Sequence, residues 1–171
     1  EAERLDVVVH PQSIVHGLIE WRDGAVTAGL AVPDMRVPIA HCLGTGERLA
    51  LNGRRLDLAA IGTLTFEEPD ESRFPCLAIA REALRLGGAM PTIMNAANEI
   101  AVAAFMDGRI DFPGIPALVT ETCEAMASRH RQAPAGIKEA LAIDRESRRL
   151  AEERLGAGRP RTRRSAGEER V

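Results

Sequence analysis

Residues 7–26 read VVVHPQSIVHGLIEWRDGAV, and this stretch decides the fold of the N-terminal part of the chain. Residues 12–21 alternate between two faces, which predicts a β-strand. An Asp-Gly step at 23–24 follows, and a second extended run, AVTAGL, comes after it. Because glycine tolerates a positive φ, an Asp-Gly step between two such runs predicts a β-hairpin. The run LDVVVH at 5–10 predicts a further short strand.

Two histidines, His10 and His16, lie in this apolar stretch, and three roles are open to them: catalysis, metal binding, or a hydrogen-bonded place in a core. Residues six apart in a strand share a face but lie about 20 Å apart, and Pro11 is expected to bend the chain between them. The two histidines therefore cannot bind one metal as a straight pair. With Ile14 and Leu18 beside it, His16 is expected to be buried and hydrogen-bonded. His10 ends a strand, where active-site residues often lie, so both interpretations stay open for it.

Proline and glycine mark the predicted helices downstream. Pro38 is expected to open a short helix in its first position, with Val37 as a poor N-cap. Pro75 is expected to start a longer helix that stops at a Gly-Gly step at 87–88. Asn95 is expected to cap the next helix, and later segments are expected to start at Pro116 and to follow residue 136.

The predicted fold is α+β: a β-hairpin, or partial sheet of a catalytic α/β domain, followed by a C-terminal helical bundle. Residues 1–74 form the first part and its linker, 75–155 the helical domain, and 156–171 a disordered tail. The tail carries four arginines, Arg159, Arg161, Arg163 and Arg164. They could contact phosphate, but a solvated terminus is the favoured interpretation.

Composition excludes several classes of function. Among 171 residues only 3% are aromatic and the net charge is -3, which argues against nucleic-acid binding and against attraction to an anionic membrane. The chain has no apolar run long enough to cross a bilayer and no signal peptide. Three scattered cysteines, Cys42, Cys76 and Cys123, favour a reducing, cytoplasmic compartment over a disulfide framework.

Spacing alone shows no catalytic motif. The sequence lacks a G-x-G-x-x-G step, a P-loop and an H-E-x-x-H pair. His41 and His130 stand alone and are expected to be structural or exposed. Asn95, Asn98 and Glu99 could form a polar site, although a role in the first turn of a helix is favoured.

Four motifs in order carry a resemblance: VVVHPQSIVHGLIEWRDGAV, PDMRVPIAH, FPCLAIAREAL and PTIMNAANEIAVAAF. Together they resemble the C-terminal part of the 1-deoxy-D-xylulose 5-phosphate reductoisomerase family, over about 150 residues. The resemblance implies conversion of 1-deoxy-D-xylulose 5-phosphate to 2-C-methyl-D-erythritol 4-phosphate in the non-mevalonate pathway of isoprenoid biosynthesis. It also implies NADPH and Mg²⁺ or Mn²⁺ as cofactors, and a homodimer.

The resemblance places the family's dinucleotide-binding, catalytic lysine, metal-ligand and phosphate-binding motifs upstream of the segment that matches Glu1. It therefore implies no metal ligand and no main catalytic residue in this chain, which alone is expected to be inactive. Ser13 and His16 match a strand beneath the family's site, His16 as a supporting residue. Pro33 and Met35 match the segment beside nicotinamide and substrate. From its residue type alone, Met35 suits either an adaptable apolar wall or an ordinary core.

Two departures from the family concern local order near residues 35–47. The family usually has threonine at Val37, and a Trp-Pro turn where this chain reads GTGERL. Two hypotheses remain. The chain is part of the reductoisomerase, as its start at Glu1 inside an element favours, or it is a stand-alone dimerising and helical module without catalysis. Under either hypothesis, residues 7–30 are expected to drive self-association.

Overall fold

A computed structural model describes residues 2–45 and 47–157. Among these residues two compact units are present: the hairpin unit, which lies within Asp6–Pro69, and the helical unit, which consists of residues 2–5 and 70–157. After a short 3₁₀ turn at Ala2–Arg4, the elements are β1 (Val15–Glu20), β2 (Val26–Leu30), α1 (Arg36–Leu43), α2 (Leu58–Ile61), α3 (Cys76–Leu86), α4 (Met90–Met106), α5 (Gly114–Ala127) and α6 (Ile137–Ala157).

The predicted hairpin is confirmed. β1 and β2 pair antiparallel, with Glu20 opposite Val26. The backbone N–H of Trp21 donates to the Ala25 carbonyl at 2.8 Å, and Gly24 takes the positive φ of 82° that its place in the turn requires. The Asp-Gly step therefore closes the turn for the reason that predicts it.

A β-bulge interrupts the pairing of β1 with β2 near the start of β1. Val15 lies opposite Leu30 and Gly17 lies opposite Gly29, so His16 is an extra residue between two adjacent partners. Ile14 is buried, but His16 is exposed. The expectation of a buried His16 beside Ile14 is wrong, because both faces of β1 are exposed in this unit: every residue of the strand after Val15 is exposed.

The strand predicted at 5–10 is reduced to a single bridge. Val9 pairs with Glu67 through two backbone hydrogen bonds of 2.9 Å, and no longer ladder forms there. Pro11 and Pro69 flank the pair and lack the N–H that would extend it.

The two short helices of the hairpin unit begin where side chains satisfy their first N–H groups. α1 begins at Arg36, whose backbone N–H donates to the Asp34 carboxylate at 3.0 Å. The prediction that Val37 caps this helix and Pro38 opens it is therefore wrong: Pro38 is the third residue of α1. Proline fits there because an N–H in the first turn would have no intrahelical acceptor. α2 is not foreseen in the sequence, although Asp57 caps it by accepting from the Ala60 N–H at 3.1 Å.

The helical unit follows its predicted order with shifted starts. α3 starts after Pro75 and ends at Gly87, as predicted. α4 starts at Met90, so Asn95 lies within the helix and is not its cap. α5 starts two residues before Pro116. In both cases the earlier start lets apolar side chains reach the core.

The core of the helical unit consists of two packed clusters. The first contains Ala83, Ala89, Met90, Ile93, Met126 and Ile143. The second contains Ala97, Ala101, Ile115, Leu118, Val119 and Ala151. Small residues on α4 let α5 and α6 approach closely, which suits dense helix packing.

α6 extends to Ala157, two residues into the segment predicted as a tail. The rest of that segment, with its four arginines, lies outside the described residues. Within the described part of the chain, no helix has the length and apolar character needed to cross a bilayer.

Candidate functional site at the base of the hairpin

The open end of the hairpin brings two of the predicted segments together. Beyond the last strand pair, the Ala31 N–H donates to the Ile14 carbonyl at 3.1 Å. The loop that carries Ser13 and the segment that carries Pro33 and Met35 therefore leave the same end of the hairpin. Strand pairing thus juxtaposes residues that are twenty apart in sequence, and we call this region the hairpin base: residues 10–16 and 31–36.

Ser13 has an uncommon backbone conformation. Its φ is 50°, in the left-handed region that non-glycine residues rarely adopt. Its N–H donates to the His10 carbonyl at 3.0 Å, which closes a tight turn over Pro11. Ser13 is exposed, so its hydroxyl is directed to the surface of this unit.

His10 and Gln12 fasten the loop to residues 65–67. The Nδ1 of His10 lies 2.7 Å from the Thr65 carbonyl; because a carbonyl only accepts, that nitrogen carries the proton. Gln12 contacts the Thr65 hydroxyl at 2.8 Å, and the His10 ring stacks on Phe66 with ring centres 4.7 Å apart. His10, which the sequence left open, is in this structure a fastening residue.

His16 is hydrogen-bonded, as expected, but from the surface. Its Nδ1 lies 2.8 Å from the Ile14 carbonyl, so this nitrogen also donates. The ring is exposed at the position of the bulge. His10 and His16 therefore hold separate places on the hairpin base.

Asp34 and Arg36 hold the segment that carries Met35. Their side chains form a paired contact, with Arg36 Nη2 2.6 Å and Nε 3.0 Å from the carboxylate. The hydrogen bond from the Arg36 side chain lowers the pKa of Asp34 below its ordinary value. Between the two, the Met35 side chain is 72% exposed. Met35 is therefore not a core methionine in this structure.

A shallow cavity of about 280 Å³ lies beside this segment, and its lining residues are Leu30, Ala31, Val32, Asp34, Val37, Leu51, Gly53, Arg54, Arg55 and Leu56. None of Ser13, His16, Pro33 and Met35 lines it. The sequence analysis did not predict that Arg54 and Arg55 would line a cavity. The one indication in the sequence is that they follow an Asn-Gly step, in the run Asn-Gly-Arg-Arg at 52–55. Among the described residues, the hairpin base therefore lies open beside this cavity, which does not enclose the predicted site residues.

The metal that the resemblance implies does not fit the described residues. Among them, no group of three or more His, Cys, Asp or Glu side chains is placed to hold an ion. Cys76 and Cys123 offer no ready thiolate either: burial raises the pKa of Cys76, and it raises the pKa of Cys123 to about 11.

The remaining polar candidates serve structure. Asn95 donates to Glu99 at 3.0 Å one turn along α4, and Glu99 accepts from Arg148 of α6 at 2.7 Å. Asn98 is half-buried on the same helix and His41 is exposed near the end of α1. His130 lies 3.0 Å from Glu146. Of these residues, His41 belongs to the hairpin unit and the others to the helical unit.

Comparison with known proteins identifies the relatives of this chain. The family model "DXP reductoisomerase C-terminal domain" matches residues 30–150. The chain is 52% identical over 152 residues to 1-deoxy-D-xylulose 5-phosphate reductoisomerase of Afipia carboxidovorans, covering 88% of this chain and 37% of that protein. It is 51% identical over 150 residues to the reductoisomerase of Prosthecochloris aestuarii, covering 88% of this chain and 38% of that protein.

Solved structures agree. The reductoisomerase of Zymomonas mobilis in complex with NADPH superposes with a TM-score of 0.79 at 40% identity, covering 86% of this chain and 38% of that one. A reductoisomerase in complex with NADPH, fosmidomycin and magnesium superposes with a TM-score of 0.80 at 37% identity, covering 87% of this chain and 38% of that one. The chain therefore spans well under half the length of the relatives that it matches.

Proposed function

Because this chain belongs to the DXP reductoisomerase family through its C-terminal domain, we propose that it is the C-terminal part of a 1-deoxy-D-xylulose 5-phosphate reductoisomerase. The enzyme converts its substrate to 2-C-methyl-D-erythritol 4-phosphate with NADPH and a divalent cation, Mg²⁺ or Mn²⁺. The observation that carries the proposal is the 52% identity over 152 residues to such an enzyme. The shared fold with solved reductoisomerases supports it independently.

In this enzyme the hairpin base forms one wall of the substrate and cofactor site. Ser13, Pro33 and Met35 line that wall, and His16 supports it from the bulge. Pro33 is rigid, and the Asp34–Arg36 pair fixes the backbone on both sides of Met35. A flexible thioether on a fixed backbone can adapt to a flat ring such as nicotinamide. The exposure of Met35 leaves it available for that contact.

The chemical steps belong to other parts of the enzyme. NADPH supplies the hydride when it is bound, and the described residues provide no metal ligand set. The share of the reaction that this chain performs is to shape the site and exclude water from one side. We therefore expect the chain alone to show no substrate-dependent oxidation of NADPH.

A chimera tests the proposal. The first three fifths of the Afipia carboxidovorans enzyme, up to the point where the match begins, are joined in frame to this chain. Substrate-dependent loss of NADPH absorbance by the chimera is the expected result, with the Afipia portion alone as the control. A folded, dimeric chimera that binds NADPH without turnover would contradict the assignment.

In the active chimera, Met35→Ala tests the wall. The expected result is a higher KM for NADPH or substrate with an unchanged melting temperature, because an exposed side chain contributes little to folding. Met106→Ala is a matched control, since Met106 is also exposed but lies at the end of α4 in the helical unit. If Met35→Ala and Met106→Ala had the same kinetic constants, Met35 would not contact the cofactor or the substrate.

We also propose that the enzyme is a homodimer that assembles through residues 7–30. Ile19, Trp21 and Val26 are exposed on the hairpin, and each of its two strands has an unpaired edge among the described residues. Exposed apolar edges tend to pair with a second chain. Sedimentation of this chain at about 10 µM, a concentration suited to a weak interface, should show a dimer or a larger species. A single monomeric species would contradict the proposal.

Self-association without activity in the chimera would instead favour the alternative function, a non-catalytic dimerising module. The same exposed hairpin favours that alternative, so the activity of the chimera decides between them.

We place the enzyme in the cytoplasm, because the three cysteines of this chain are all free thiols, as is usual in a reducing compartment.

A further inference from the structure

The turn at residues 10–13 carries two local costs. Ser13 holds a φ of 50°, which costs a non-glycine residue free energy and persists only where its surroundings enforce it. The Nε2 of His10 is buried and has no hydrogen-bond partner among the described residues, which is a second cost. Such departures from local preference concentrate at functional sites. The conformation of this turn therefore indicates a purpose other than stability.

Thr65 supplies the contacts that hold this turn. Its hydroxyl lies 2.8 Å from Gln12 Nε2 and 3.0 Å from Gln12 Oε1, and its N–H donates to Gln12 Oε1 at 3.3 Å. Its carbonyl accepts from His10 Nδ1 at 2.7 Å. Thr65 therefore contacts two of the three residues that precede Ser13, through its side chain and through both of its backbone polar groups.

The two ends of the turn are fixed as well. Before it, Val9 and Glu67 exchange two backbone hydrogen bonds of 2.9 Å, and after it Ile14 is buried. Between these anchors the Ser13 N–H donates to the His10 carbonyl at 3.0 Å. The Ser13 hydroxyl, in contrast, is exposed and makes no hydrogen bond among the described residues. The surroundings thus enforce the backbone of Ser13 and leave its hydroxyl available to a ligand.

We propose that Thr65 is a positioning residue for the reductoisomerase reaction, an inference that rests on the proposed function. Through Gln12, the Thr65 hydroxyl enforces the backbone conformation of Ser13 and so fixes the direction of the Ser13 hydroxyl at the substrate and cofactor site. A hydroxyl that is oriented in advance loses less conformational entropy when a ligand binds. Thr65 lies 53 residues from Gln12 along the chain, so this link exists only in the folded unit.

Amide hydrogen exchange of the whole chain, followed by NMR, tests whether Thr65 holds Ser13. Thr65→Val removes the hydroxyl and keeps the shape of the side chain, whereas Thr65→Ser keeps the hydroxyl. The Ser13 amide should exchange roughly three- to tenfold faster in Thr65→Val, the range of one hydrogen bond, and at an unchanged rate in Thr65→Ser. The control is Thr63→Val, because Thr63 is exposed and its side chain makes no hydrogen bond among the described residues. An unchanged rate in Thr65→Val, or an equal increase in Thr63→Val, would overturn the proposal.

Kinetics of the active chimera separate positioning from general stability. Thr65→Val should raise the KM for substrate or NADPH roughly three- to tenfold with kcat little changed, and Thr65→Ser should restore the original KM. Ser13→Ala removes the hydroxyl that Thr65 positions, so Thr65→Val should add nothing in that background. Additive losses, or an unchanged KM, would contradict the positioning role. An inactive chimera would instead contradict the proposed function, and the exchange rates alone would then decide whether Thr65 holds Ser13.

Discussion

The hairpin unit and the helical unit differ in where they keep their apolar side chains. Among the described residues, Ile14 is the one buried hydrophobic residue of the hairpin unit, whereas both core clusters lie in the helical unit. The hairpin unit is ordered by backbone pairing and by polar fastenings such as His10 and Gln12 to Thr65. The helical unit is ordered by burial.

This difference supports the proposal that a second chain covers the hairpin unit. Single exposed apolar residues are normal on a protein surface, but a contiguous group marks an interaction site. The hairpin exposes apolar side chains on both faces, with Ile19 and Trp21 on one and Leu18, Val26 and Leu30 on the other. We expect the helical unit to be stable on its own core and the hairpin unit to gain stability from its neighbours.

The largest expected effect comes from one substitution made in both units. Ile93 is fully buried in α4, whereas Ile19 in β1 is 57% exposed. Ile93→Ala should lower the free energy of unfolding of the helical unit by about 2–5 kcal/mol, because it leaves a cavity. Ile19→Ala should cost about 0.5 kcal/mol or less.

Urea unfolding with two probes measures both effects. Far-ultraviolet circular dichroism reports the helices, and the fluorescence of Trp21, the single tryptophan, reports the hairpin. The contrast between the units would be lost if Ile19→Ala shifted either midpoint as far as Ile93→Ala.

Two glycines with positive φ give the next effect. A Cβ at Gly88 would collide with the backbone carbonyl of Arg131, whereas a Cβ at Gly24 would meet no atom within 4 Å. Gly24→Ala should therefore cost only the strain of the turn, about 1–2 kcal/mol. Gly88→Ala should cost about 2 kcal/mol more, because the loop after α5 must also move. Urea unfolding with the same two probes measures both variants. Equal losses of unfolding free energy would mean that the loop after α5 moves without cost.

Acid should act on the helical unit through Glu146. The hydrogen bond from His130, assisted by Arg129, lowers the pKa of Glu146 below its ordinary value of 4.5. A carboxyl with a lowered pKa in the folded state stabilises fully above its unfolded pKa, and this contribution is lost as the pH falls through the folded value.

The urea midpoint followed by circular dichroism should therefore fall below about pH 4.5, and Glu146→Gln should flatten that fall. Glu124→Gln is the control, since Glu124 is exposed and no ion pair holds it within the described residues. If the urea midpoint of both variants fell with acid as steeply as that of the unchanged chain, the His130–Glu146 contact would not contribute to the pH dependence of folding.

The smallest effect is expected at Met35. Met35→Ala should change the free energy of unfolding by about 0.5 kcal/mol or less, because its side chain is exposed. Met126→Ala, at a fully buried site of the first core cluster, should cost about 2–5 kcal/mol. A large fall for Met35→Ala in thermal melting of the chain would return Met35 to a core role.

Much of the local structure could be predicted because single residues determine it. The hairpin turn follows from the φ that Gly24 allows, and the bounds of α3 follow from Pro75 and Gly87. The family resemblance, carried by four motifs, is confirmed by the match over residues 30–150. The roles of Ser13, His16, Pro33 and Met35 stay predictions, because the described residues around them do not enclose a site.

The sequence by itself determined the hairpin, the order of the helices and the family, because turn residues, helix ends and contiguous motifs are local. Only the tertiary structure decided the rest. The bulge at His16 depends on which residues of β2 pair with its two neighbours. The start of α4 at Met90 depends on core packing, which outweighs the cap preference of Asn95. The packing of α6 depends on both core clusters and on an ion pair with a partner 49 residues away, and no local pattern encodes contacts at that separation.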